Sequence, residues 1–232
     1  MKHVMFLTGT RADFGKLKSL ISILTNSGDF HVSIFVTGMH MLRKYGFTAN
    51  EVSKAGYKNI YQFINQKPGD SMDVVLAKTI TGLSDYVKET QPNMIVVHGD
   101  RVEAMAGAIV GSLNNILVSH IEGGEVSGTI DELIRHAVSK LSHLHFAANE
   151  EARSRLTQLG EIEESIKIIG SPDIDIMNSD KLPNIQECRE RYSFDYGAYG
   201  VLMYHPVTTE LSKLKANVTG IVNAAIESGR NF

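Results

Sequence analysis

Met94-Ile95-Val96-Val97-His98-Gly99-Asp100-Arg101 and Ile116-Leu117-Val118-Ser119-His120-Ile121-Glu122-Gly123-Gly124-Glu125 decide the fold. Each opens on a run of aliphatic side chains and then gives way to glycine and carboxylate. Between them lies Val102–Leu113, rich in alanine and apolar residues, which reads as a buried helix. Near-continuous apolar runs are what strands covered on both faces require. Strand, helix and strand in this spacing predict a βαβ unit with parallel strands. Asp100 and Glu122 then leave the same edge of one sheet.

The pattern repeats along the chain. Val4–Leu7, Val32–Val36, Leu144–Ala147 and Ile166–Ile169 read as further strands. Lys16–Leu24, Ser71–Gln91, Asp131–Leu141 and Asn149–Leu159 read as helices. Asp70 or Ser71 caps the second of these and Pro92 stops it; Asn149 caps the last, and Gly160 follows its end. The alternation predicts an α/β fold with a doubly wound, Rossmann-like parallel sheet over residues 1–172. Residues 173–195, polar and punctuated by Pro183, read as a crossover. Residues 196–232 read as the start of a second, incomplete unit, with Gly200–Tyr204 as a strand and Thr208–Ser228 as a helix. Ligands of doubly wound sheets bind beyond the carboxyl ends of the strands.

Of the 232 residues, 43% are hydrophobic and 21% charged, which suits a globular core. A net charge of -3 gives no basic field for nucleic acid or an anionic membrane. No apolar run approaches the roughly 18 residues of a membrane span. Cys188 is the single cysteine and cannot form an internal disulfide. These features predict a cytoplasmic protein with no nucleic-acid or membrane partner.

Four polar clusters sit at strand ends. Gly9-Thr10-Arg11-Ala12-Asp13-Phe14-Gly15-Lys16 joins a strand to a helix, where backbone N–H groups, Arg11 and Lys16 can meet an anion. It has neither the Walker spacing nor the dinucleotide fingerprint. In His98-Gly99-Asp100-Arg101, Asp100 is either a base or a helix cap, and Arg101 can pair with Glu103. In Glu122-Gly123-Gly124-Glu125-Val126-Ser127-Gly128-Thr129-Ile130-Asp131, Glu122 has no evident packing role. Asp131 either complements a helix dipole or joins Arg135, four residues on, in a charged pair. Tyr204-His205-Pro206-Val207-Thr208-Thr209-Glu210 places His205 where a second helix begins. No His/Cys spacing suggests a metal site.

Taken in order, Gly9–Phe14, His98–Ala104, His120–Asp131 and His205–Glu210 resemble the hydrolysing UDP-N-acetylglucosamine 2-epimerases of sialic-acid biosynthesis, over essentially the whole chain. The resemblance implies a glycosyltransferase-B-like (GT-B) fold of two Rossmann-like domains around a cleft, of which this chain holds the N-terminal half. It implies loss of the C2 proton and of UDP from UDP-N-acetylglucosamine, giving a glycal, and hydration to N-acetylmannosamine. No cofactor, metal or nicotinamide is implied. Asp100, Glu122 and Asp131 match the catalytic acids. Arg11, Lys16 and His205 match positions near the diphosphate; Arg101, Arg135 and His40 complete the expected substrate-binding set. The same chemistry on UDP-N,N'-diacetylbacillosamine is the alternative substrate reading, and an inert, truncated domain is the non-enzymatic one. With its second domain cut short, the chain is expected to bind UDP weakly. The resemblance also implies a homo-oligomer, dimer or tetramer.

Overall fold

A computed structural model describes residues 1–180, 182–204 and 212–232. They fall into two compact units, Met1–Asp180 and Lys181–Phe232. The first is built on β1 (Lys2–Thr8), β2 (Phe30–Val36), β3 (Ile60–Gln62), β4 (Met94–His98), β5 (Leu117–Ile121), β6 (Leu144–Ala147) and β7 (Ile166–Ile168). All seven pair in parallel, in the order β3-β2-β1-β4-β5-β6-β7. The helices are α1 (Arg11–Ser27), α2 (Ala49–Lys54), α3 (Met72–Thr90), α4 (Val102–Leu113), α5 (Ile130–Lys140), α6 (Glu150–Gln158) and α7 (Pro172–Met177). This is the doubly wound, Rossmann-like α/β sheet that the apolar runs predict.

Alternate residues of β1, β2, β4 and β5 feed two cores, as the period of two demands. Met5, Leu7, Phe35, Ile95, Val97 and Val118 pack with Leu83 and Val87 of α3, Ala104 and Ala108 of α4, and Val138 of α5. Val4, Phe6, Ile34, Val36, Val96 and Ile121 pack with Phe14, Leu17 and Ile21 of α1. Burying one such aliphatic or aromatic side chain contributes about 1.5–3 kcal/mol. Helix α4 lies close to the sheet because Gly107 and Gly111 face it. A Cβ at Gly107 would stand 2.6 Å from Val97 Cγ1, and one at Gly111 2.3 Å from Val118 Cγ2.

Six strands lie over the predicted runs. Strand β3 does not: its three residues sit at a sheet edge with Tyr61 42% exposed, leaving no apolar run to read. Helix α1 starts five residues before Lys16 because Thr10 caps it, in a capping box with Asp13. Ser71 takes the N-cap position of α3 without a capping bond, since its hydroxyl goes to Asp73. Asn149 caps α6 as expected, accepting from Ala152 N at 2.8 Å.

The second unit contains α8 (Ile185–Tyr192) and α9 (Leu214–Glu227). Asn184 and Glu187 form a capping box on α8, and Phe194 packs its ring against Tyr196 and Tyr199. Gly200–Tyr204, expected as a strand, is not one. Among the described residues it has no neighbouring strand to pair with, and Gly200 N bonds instead to Asn231 O at 2.8 Å. Helix α9 lies within the predicted Thr208–Ser228 and buries no side chain. Among the described residues, no helix is long and apolar enough to cross a membrane.

The strand order reverses between β1 and β4. A doubly wound sheet opens a crevice at such a switch point, beyond the carboxyl ends of the strands. The register puts Phe6 beside Val96 and His98 beside Ile121. The turns after β1, β4 and β5 therefore emerge together.

Candidate active site

The turn after β1 is pinned from within. The Asp13 carboxylate accepts from Gly9 N at 2.9 Å, Thr10 N at 2.9 Å and Thr8 Oγ1 at 2.6 Å. Two of the backbone N–H groups that the sequence suggested for a ligand anion, those of Gly9 and Thr10, thus already face an internal one. The turn also offers two side-chain cations, Arg11, which is exposed, and Lys16. His40, expected on a cleft-facing loop, is instead fully buried. Thr8 gives its hydroxyl proton to Asp13, so His40 Nε2 donates to Thr8 at 3.0 Å and Thr48 donates to Nδ1 at 2.7 Å. Burial pulls the His40 imidazole below its ordinary pKa, with Asp13 opposing. It is a strut beneath the turn, not a group facing a substrate.

Glu122 is the hub. It leaves β5 with φ +60°, the left-handed region that costs a non-glycine residue about 1 kcal/mol or more. Its surroundings hold it there: Glu122 N donates to Phe146 O at 2.9 Å, and three side chains donate to its carboxylate. Lys16 Nζ and His98 Nε2 lie 2.5 and 2.9 Å from Oε2, and Ser171 Oγ lies 2.6 Å from Oε1. A carboxylate only accepts, so His98 carries its proton on Nε2. Burial alone would raise the Glu122 carboxyl, but the bonds from His98, Lys16 and Ser171 hold it well below the usual range. Burial likewise lowers Lys16, and Glu122, with Asp173 at 3.4 Å, more than reverses it.

Asp100 does not cap α4; the N-cap residue is Arg101, whose side chain makes no capping bond. The Asp100 carboxylate pairs with Arg135, which also donates to Glu125 O at 2.8 Å. Arg135 is therefore not the partner of Asp131, although the two stand four apart on α5. The turns carrying Asp100 and Glu122 are tied through the backbone: Gly99 N donates to Ile121 O at 3.0 Å, and His120 Nε2 bonds to Gly99 O at 2.8 Å. His120 is fully buried, and its Nδ1 meets Ser139 Oγ at 3.0 Å. Burial drives its pKa down to about 3, so it stays neutral.

Arg101 donates through Nε to Glu103 at 3.2 Å, as expected, and its side chain is 37% exposed. Asp131 stands exposed in the first turn of α5, touched by Thr129 Oγ1 at 3.4 Å and bonded to neither cluster. His205 lies outside the described residues. Among the described residues, no group of three or more His, Cys, Asp or Glu side chains is placed to hold a metal ion. The structure thus joins Lys16 to Glu122 and Asp100 to Arg135, and adds His98 and Ser171, which sequence reasoning did not single out. The motif His98-Gly99-Asp100 held the first of these; Ser171, between Gly170 and Pro172, carries only a turn signal.

The pattern of the family described as UDP-N-acetylglucosamine 2-epimerase matches residues 22–232. The UDP-N-acetylglucosamine 2-epimerase of Neisseria meningitidis serogroup B is 49% identical over all of this chain and 62% of its own length. The UDP-N,N'-diacetylbacillosamine 2-epimerase (hydrolyzing) of Legionella pneumophila is 37% identical over 97% of this chain and 61% of its own. Polysialic acid biosynthesis protein P7 of Escherichia coli is 30% identical over 97% and 58%. The chain thus spans about three fifths of the length of these curated relatives. Among solved structures, UDP-GlcNAc 2-epimerase from Methanocaldococcus jannaschii matches with a TM-score of 0.70 at 22% identity, over 99% of this chain and 64% of that one. That likeness is one of fold, the N-terminal half of a GT-B-type architecture.

Proposed function

This chain belongs to the UDP-N-acetylglucosamine 2-epimerase family, and from that premise we propose that it carries the acid–base half of a hydrolysing epimerase site. The substrate is UDP-N-acetylglucosamine, and the products are N-acetylmannosamine and UDP. The observation that carries this reading is the Lys16–Glu122–His98 cluster at the sheet's switch point, with Asp100–Arg135 on the adjoining turn. A C2 proton on a sugar is weakly acidic and needs a positioned base. Departing UDP develops charge on a phosphate oxygen and needs a cation. The cluster holds one of each, 2.5 Å apart.

In the first stage the C2–H bond breaks, its electrons form C1=C2, and the C1–O bond breaks with its pair going to UDP. In the second, water adds: a proton to C2 from the opposite face and hydroxide to C1. Without ligand, Lys16 and Glu122 satisfy each other. When the diphosphate oxygens take Lys16, Glu122 loses a donor and rises toward a range in which it accepts a proton. Asp100 and Asp131 supply the remaining acid–base groups. A product destined for sialic acid is supported by the likeness to a polysialic acid biosynthesis protein. The same chemistry on UDP-N,N'-diacetylbacillosamine is favoured by the 37% identical relative of that name. Offering the protein both nucleotide sugars and measuring UDP release separates them. Release from UDP-N-acetylglucosamine at least tenfold faster is the expected result; the reverse ratio assigns the bacillosamine sugar, and no release from either removes the epimerase reading.

A further inference from the structure

Ser171 is the N-cap residue of α7 but does not cap it. Serine is a favoured cap, and here that bond is left unmade. The hydroxyl donates instead to Glu122 Oε1 at 2.6 Å, 49 residues away in sequence. Gly170, at φ +75°, turns the chain out of β7, and Pro172 follows at the first helical position, so the backbone is shaped to deliver this one side chain. Two residues on, Asp173 reaches Lys16 at 3.4 Å. The segment after β7 therefore grips both members of the Lys16–Glu122 pair.

The three donors on Glu122 are not equivalent. Lys16 and His98 share Oε2, and among the described residues Oε1 has Ser171 alone. Lys16 is the donor a diphosphate would remove. Ser171 is neutral, tied to backbone, and remains when the cation leaves. We propose that Ser171 is the positioning residue for Glu122, fixing the plane of its carboxylate through Oε1 while Oε2 exchanges partners. It takes this role in catalysis only if Glu122 is the proton-transferring carboxylate proposed above.

The charged and titratable groups meeting Glu122 are Lys16 from α1 and His98 from β4; Asp173, on α7, acts through Lys16. Losing the Ser171 bond leaves all three in place. The test is a carboxyl carbon-13 NMR titration of Glu122 in the 232-residue chain, as wild type, Ser171→Ala and Ser171→Thr. Ser171→Ala is expected to raise the proton affinity of Glu122 about tenfold, the effect of one charge-assisted hydrogen bond, and Ser171→Thr to restore it. Melting temperature at neutral pH should fall by only a few degrees, the loss that a tenfold change in proton affinity entails. An unchanged Glu122 titration in Ser171→Ala, or the same shift in Ser171→Thr, overturns the assignment. In turnover, the acid limb of kcat should move up in Ser171→Ala with KM changing less than twofold; loss of stability with an unmoved limb would mean a merely structural serine. Should the wild-type protein release no UDP, the epimerase reading fails, while the NMR titration still decides whether Ser171 governs Glu122.

Discussion

Lys16 Nζ and Glu122 Oε2 stand 2.5 Å apart across 106 residues of sequence, joining the helix after β1 to the turn after β5. Both side chains are largely buried, at 24% and 13% exposure. Two charges so placed are held by fold, since the sheet order sets β1 and β5 on either side of β4. Removing one partner strands the other. Glu122→Gln is expected to leave the fold intact, and a double-mutant cycle with Lys16→Met to show about 1–3 kcal/mol of coupling in denaturant unfolding. Additive effects would mean that the pair is not formed in solution.

Asp100 and Arg135 make the second predicted coupling. Arg135 is 9% exposed on its side chain and has Asp100 as its charged partner. Asp100→Asn should destabilise by roughly 1–3 kcal/mol, because a buried guanidinium loses its counter-charge. Asp131→Asn should leave stability within about 0.5 kcal/mol, as for an exposed site. Thermal unfolding of the two variants checks both; equal losses would contradict the placement of Arg135.

His120 makes stability fall in acid. Its pKa is about 3 in the fold, held down by burial, against 6.5 for the free imidazole. The folded state thus binds its proton more weakly than the unfolded chain. The stabilisation is fully present above about pH 6.5 and is lost as pH falls toward 3. His120→Gln keeps an N–H for Gly99 O but removes the titration. Its unfolding free energy should fall less steeply in that window, by up to ~1.4 kcal/mol per pH unit. Parallel curves for variant and wild type would show that His120 already titrates normally.

Two glycines should respond in opposite directions. Gly38 has φ +65°, and a Cβ there would stand 2.6 Å from Gly9 O and from Glu103 Oε1. Gly38→Ala is expected to cost roughly 2–4 kcal/mol from strain and overpacking. Gly15 lies inside α1 with nothing within 4 Å of the added carbon. Gly15→Ala should stabilise by about 0.5–1 kcal/mol. Melting temperatures that move together would contradict these backbone assignments.

Much of this was legible in sequence where apolar period and strand ends coincide. Met94–Val97 and Ile116–Ser119 set Asp100 and Glu122 on one edge, and the structure keeps them there. What could not be read was pairing in space. Arg135 has Asp131 four residues away, yet turns to Asp100, 35 residues away, because β4 and β5 are neighbours. Ser171 lies behind a glycine and before a proline, where local chemistry signals only a turn. His40 shares its loop with residues that look exposed, but its ring is swallowed between Thr8 and Thr48. Asn184 and Glu187 do carry a capping-box spacing that announces α8 inside the crossover.

The chemistry itself is tested most directly by turning over UDP-N-acetylglucosamine in deuterium oxide at saturating substrate. UDP and N-acetylmannosamine should appear in equal amounts, with deuterium at C2 of the sugar. Glu122→Gln and Asp100→Asn should slow release by about a hundredfold or more, the scale of a lost acid–base group. Sugar product with protium retained at C2, or UDP release unchanged in both variants, would contradict an elimination carried out at the Lys16–Glu122 cluster.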